Sequence, residues 1–67
     1  MFENLRKIRK EKNIKVKDIC NAIGLETESA YYKKENGVVP FTLKEGQIIS
    51  KLFDEPIENI FFTEELS

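Results

Sequence analysis

Histidine is absent from this chain, and cysteine occurs once, at Cys20. The commonest general base and metal ligand is therefore missing, and one thiol cannot build a zinc site. No nucleophile–base pair and no metal-ligand set can be assembled, so catalysis, a cofactor and a small-molecule substrate are not expected. What remains is binding chemistry. Lys15 and Lys17 stand at the start of one apolar-periodic stretch, and Lys33 and Lys34 stand near the end of the next. Thr27, Glu28, Ser29 and Tyr32 lie between them. Ammonium groups attract anions over a distance, while hydroxyls and a carboxylate make directional hydrogen bonds. That combination suits a polar, negatively charged surface.

The net charge of −1 hides a division. Residues 1–44 hold ten Lys and Arg against six acids, a balance of +4. Residues 45–67 hold one against six, a balance of −5. One end suits a polyanion and the other repels it; the alternative is a solubilising mixture of surface charge. The 67 residues suffice for one small domain. A chain of this size buries only about 60% of its unfolded surface, so a stability of a few kcal/mol is expected. No run approaches the ~20 apolar residues of a membrane span. Charges from Glu3 onward argue against a secretory leader. Cys20 falls on an apolar face, as expected of a small buried group in a reducing cytoplasm.

Two short helices joined by a turn must position the candidate groups. Val16, Ile19, Cys20 and Ile23 recur at helical spacing, which predicts a helix over about 15–23. Gly24 stops it, because glycine takes a left-handed conformation without strain. Leu25 can fold back onto the same face, and Thr27 can cap a second helix over about 27–35. That helix turns Ala30, Tyr31 and the stem of Lys34 inward, and Ser29, Tyr32 and Lys33 outward. It stops at Glu35-Asn36-Gly37. The pattern is that of a helix-turn-helix.

Around this pair, residues 2–12 read as a helix with Phe2, Leu5, Ile8 and the stem of Lys12 on one face. Arg6, Lys7, Lys10 and Glu11 take the other; for Arg6 and Lys10, plain surface charge is the expectation. Asn13 breaks this helix, and Ile14 plugs the junction. Thr42 and Glu45 have capping-box spacing before a helix from Leu43 to about Phe53. Its apolar positions are Leu43, Ile48, Ile49, Leu52 and Phe53, and Gly46 within it marks a close helix crossing. Asp54 or Glu55 then opens a short fifth helix, with Pro56 at its first position and Ile57, Ile60 and Phe61 in register. Residues 63–67 read as a frayed acidic tail. The whole is a compact all-α bundle of five short helices, one domain over 1–67, with loops of two to six residues.

These residues resemble the phage repressor and Cro type of helix-turn-helix domain, also called the xenobiotic-response-element family. The resemblance runs from residue 4 to about 62. It is carried by Asn4-Leu5-Arg6-Lys7-Ile8-Arg9, Ile14, Ile23-Gly24-Leu25, Glu35-Asn36-Gly37, Pro40 with Leu43, and Ile57-Glu58-Asn59-Ile60-Phe61. It implies a lambda-repressor-like five-helix fold whose third helix lies in the major groove of double-stranded DNA. Thr27, Glu28 and Ser29 would stand at base edges, with Tyr32 and Lys33 one turn on. Lys15 and Lys17 would meet phosphate at the start of the second helix. Asn36 to Val38 would meet the same strand through backbone amides. Arg9 and Glu35 would form a structural ion pair. The chain departs from the family pattern at Val16, where glutamine is common. It departs again at Val38 and Val39, where a basic residue is common, and at Glu26 and Glu28.

The resemblance therefore implies a cytoplasmic, DNA-binding transcriptional regulator of phage or mobile-element type, acting on an operator. Glu28 either accepts from a cytosine amino group or stands as a solvated first-turn acid. A homodimer through Phe61, Phe62 and their neighbours is expected, because two adjacent aromatics in a short terminal helix cannot both be buried. The departures favour an alternative, a protein-interaction module on the same scaffold, an antirepressor or adaptor that does not bind DNA.

Overall fold

The computed structural model describes residues 2–62, with the side chain of Phe62 left out of account. The acidic stretch 63–67 lies outside the described residues. The described residues form four α-helices: α1 (Glu3–Glu11), α2 (Val16–Ile23), α3 (Glu28–Glu35) and α4 (Leu43–Phe53). A single π-helical turn, Glu58–Phe62, follows them, and no strand occurs among the described residues. The radius of gyration, 10.8 Å, matches the ~11 Å of a compact chain of this length. No helix among the described residues is long and apolar enough to cross a membrane.

The local signals explain most of the boundaries. Gly24 takes φ 81° and ends α2, and the amides of Gly24 and Leu25 both return to the Cys20 carbonyl at 2.9 Å. Thr27 caps α3, its hydroxyl accepting from the Ala30 amide at 3.1 Å. Thr42 and Glu45 close a full capping box on α4. Asn13 takes φ 55° at the break after α1, a conformation asparagine tolerates better than most residues.

The core gathers Leu5 and Ile8 from α1, Val16, Ile19 and Cys20 from α2, Tyr31 from α3, Ile49 and Phe53 from α4, and Ile60 and Phe61 from the π-helical turn. Phe2, Phe41 and Phe61 stack edge to face, with ring centres 5.3 to 5.6 Å apart. Asn4 donates its side-chain amide to the Asn59 carbonyl, tying α1 to the π-helical turn.

Four expectations need correction. A fifth helical segment is present, but of the two residues read as opening it, Asp54 instead closes α4 in a left-handed conformation, φ 54° and ψ 44°. The segment behind it is a π-helical turn, whose register places Ile60 and Phe61 in the core. Leu43 and Leu52 are exposed, at 73% and 40%, because α4 presents Gly46, Ile49 and Phe53 inward instead. Lys12 is exposed rather than laid on the core, its ammonium 3.9 Å from Glu55. Gly46 is buried, yet a Cβ there would meet only the edge of Phe61 at 3.6 Å, an ordinary contact. No crossing forces glycine at that position.

Candidate functional site

α3 lacks an apolar stripe, and its attachment to the rest of the molecule is largely ionic. Its buried positions are Tyr31, Lys34 and Glu35. Glu35 is wholly buried, and a lone carboxylate there would be strongly disfavoured. Its Oε1 accepts from Arg9 Nε at 3.1 Å and from the Tyr31 hydroxyl at 3.0 Å. Its Oε2 accepts from Arg6 Nε at 3.3 Å and from Arg9 Nη2 at 3.5 Å. Burial works against the Arg9 charge, but the hydrogen bond to Glu35 and its charge outweigh that and hold Arg9 above its ordinary pKa. Burial, followed by the charge of Glu35, pushes the Tyr31 phenol well above its usual range, so it remains a donor. Arg9, expected to face Glu35, does so. The part played by Arg6 was missed, since a contact across 29 residues leaves no local signal.

Lys34 is held on the other side. Its ammonium donates to the Pro40 carbonyl and to Glu45 Oε1, both at 3.0 Å, and lies 5.8 Å from the Phe41 ring centre. Burial would raise the Glu45 pKa, but the Thr42 amide and the Lys34 ammonium together lower it. The neighbouring Lys33 is exposed. One of two adjacent lysines is therefore structural and the other is open to solvent.

The remaining sequence-derived residues lie on the surface. Thr27, Glu28, Ser29, Tyr32, Lys33 and Asn36 on or beside α3 are exposed, as are Lys15 and Lys17 at the start of α2. Tyr32 is braced: its ring stands edge-on to Tyr31 at 5.6 Å, with the Arg9 guanidinium 5.9 Å away. The Thr27 carbonyl accepts from the Cys20 thiol at 3.5 Å. Burial, then the charge of Glu28, raises the pKa of that thiol, which stays protonated and structural.

Backbone amides divide the site. Lys15 is the N-cap of α2 and its side chain makes no capping bond, so the first amides of α2 have no side-chain cap. Beside this start lies a shallow depression of about 450 Å³ lined by Arg9, Lys10, Asn13, Ile14 and Lys15, with three cations and no carboxylate. The positive end of a helix and its lysines favour an anion there, although Asp18 in the first turn offsets part of the charge. The loop after α3 differs. Its amides turn inward: Asn36 to the Tyr32 carbonyl, Gly37 to Lys34, and Val38 and Val39 to Lys33, at 2.8 to 3.2 Å. The expectation that these amides face a phosphate is corrected, because they cap the carbonyl end of α3.

On another side lies an apolar groove of about 460 Å³, walled by Phe2, Pro40, Phe41, Leu43, Ile57 and Phe61. Leu43 lines it and is exposed, and Val38 is 71% exposed. Phe61, expected at a subunit contact, is buried against Phe2 and Phe41. The side chain of Phe62 lies outside the described residues. Comparison of the chain with protein-family models, with curated proteins and with solved structures finds no match.

Proposed function

We propose that the chain is a sequence-specific DNA-binding regulator of the repressor or Cro type, with α2 and α3 as its helix-turn-helix and the outer face of α3 in the major groove. One observation carries this reading. α3 is anchored from behind by a buried ionic network, while Glu28, Ser29, Tyr32 and Lys33 stand exposed on its outer side. A helix anchored from behind with its polar face outward suits the geometry of direct readout. The open, lysine-flanked start of α2 supports it as a phosphate contact. No catalytic activity is proposed, and no cofactor.

Three or four phosphate contacts per subunit give a salt slope of about −3 per subunit. The test is retention on heparin at low salt, followed by a gel shift with duplex DNA. Retention that is lost in Lys15→Glu and Lys33→Glu supports the reading. A flat salt response, or no retention of the parent, overturns it. Two-fold pairing through α4 and the π-helical turn would set two copies of α3 roughly 34 Å apart on an operator. Sedimentation showing only monomer at high micromolar concentration excludes that pairing.

A second reading, a protein-interaction module on the same scaffold, is favoured by the apolar groove and by exposed Val38 and Leu43. Under it, variants of Leu43 abolish partner binding, whereas Lys33→Glu leaves it intact.

A further inference from the structure

We infer that Arg6 is a positioning residue, which aims the side-chain amide of Asn36 outward as a preset donor for a phosphate oxygen. The inference rests on the DNA-binding reading. It begins with the loop after α3, whose amides from Asn36 to Val39 all return to carbonyls of α3. The backbone there has nothing left to offer an anion, so any donor at this end of α3 must come from side chains.

Asn36 is exposed, and its Oδ1 accepts from Arg6 Nη2 at 2.8 Å. The orientation of this amide is fixed by chemistry. A guanidinium carries only donors, so the group facing it must be the Asn36 oxygen. The Nδ2 group, with its two N–H donors, is thereby turned away from Arg6. Arg6 is itself held, because its Nε donates to the wholly buried Glu35 at 3.3 Å. The order of support is buried carboxylate, guanidinium, amide, surface. The Arg6 side chain is 40% exposed, so part of its charge also faces the solvent beside Asn36. A pair of outward N–H donors beside a partly exposed cation suits an anionic oxygen and disfavours a cation or a base donor.

The experiment measures duplex DNA affinity by fluorescence anisotropy at fixed salt for the parent, Asn36→Ala, Arg6→Met and the double variant, with thermal melts alongside. Asn36→Ala should weaken binding about 3- to 10-fold without changing the melt. In the Arg6→Met background the same change should have less than a twofold effect, since the amide is no longer aimed. A merely structural Arg6 would leave the effect of Asn36→Ala the same in both backgrounds, and that result overturns the inference. So does an Asn36→Ala affinity within twofold of the parent. Should Arg6→Met fail to fold, Asn36→Asp decides in its place: it strengthens the link to Arg6 and holds the melt, yet turns a carboxylate oxygen outward. Affinity should then fall at least 10-fold, and more than for a control acid at exposed Val38; an equal fall overturns the inference. A parent that does not bind DNA defeats the functional reading itself, whereas a binding parent with indifferent Asn36 variants defeats only this inference.

Discussion

The two ends of α3 are built on opposite principles. At the C-terminal end the polar groups that close the helix are taken up internally: Glu35 by Arg9, Arg6 and Tyr31, Lys34 by Pro40 and Glu45, the last carbonyls by the loop amides. At the N-terminal end, Thr27 closes the cap and Cys20 touches its carbonyl, while Glu28 and Ser29 stand in solvent. A helix with little apolar surface can still be fixed if one end is welded by charge. The other end is then presented from a fixed base. The substitutions below break or sharpen that contrast.

The largest effect is expected at Glu35. Glu35→Ala removes the buried carboxylate that accepts from Arg9, Arg6 and Tyr31 and leaves the Arg9 charge without its counter-ion. Breaking a buried ion pair from one side costs about 3–5 kcal/mol, most of the stability of a domain this small. Urea denaturation should show the variant largely unfolded at 25 °C. A loss under 1 kcal/mol would mean that the network does not hold α3.

Next comes Glu45, which serves both the α4 cap and Lys34. Glu45→Ala should cost about 2 kcal/mol, combining a lost cap with a lost charge-assisted bond. The pH dependence has a definite sign. The folded-state pKa of Glu45 is depressed, so its contribution is complete above the ordinary carboxylate range. It is lost as pH falls through the depressed folded value. Stability should decline on acidification, and the Glu45→Gln profile should be flatter. Equal slopes for parent and variant would contradict the assignment.

This contrast also explains what could be read from the sequence. Thr27, Thr42 with Glu45, and Gly24 act on atoms within four residues of themselves, so their types and spacing suffice to place the helix ends. The outward set Ser29, Tyr32 and Lys33 followed from helical periodicity. Arg6 did not, because its meaning depends on Glu35 and Asn36 some 30 residues away. The loop amides were assigned outward by analogy, and only the close return of the chain onto α3 turns them in. Leu43 and Leu52 share the apolar spacing of α4 yet are exposed, Leu43 lining the groove, because hydrophobicity alone cannot tell a core position from a surface one. Asp54 and Glu55 could not be told apart as openers of the fifth segment, because an acid before Pro56 resembles a cap; the left-handed turn that ends α4 takes Asp54.

At the lightly held end, Gly24→Ala should cost about 1–2 kcal/mol. The cause is conformational: φ is 81°, where an L side chain is strained, and the added Cβ meets nothing within 4 Å. Thr27→Ala should cost about 1 kcal/mol through the lost cap. Both variants should weaken DNA binding by more than their stability loss explains, because the α3 start they support is the presented one. A binding loss no larger than the unfolded fraction would place readout elsewhere.

The smallest effect has the opposite sign. Gly46 is buried one turn into α4, and a methyl there would rest on the Phe61 ring at 3.6 Å without displacing it. Gly46→Ala should therefore stabilise the fold by up to about 1 kcal/mol through helix propensity, seen as a higher urea midpoint. The position is remote from the outer face of α3 but lines the apolar groove. DNA affinity per folded molecule should be unchanged if α3 alone reads the duplex. If two copies meet across the groove, the methyl group alters the dimer constant while leaving the monomer's contacts intact. The same variant thus separates the surface proposed to touch DNA from the one proposed to pair subunits, in a background stable enough to carry the costlier substitutions at Gly24 and Glu45.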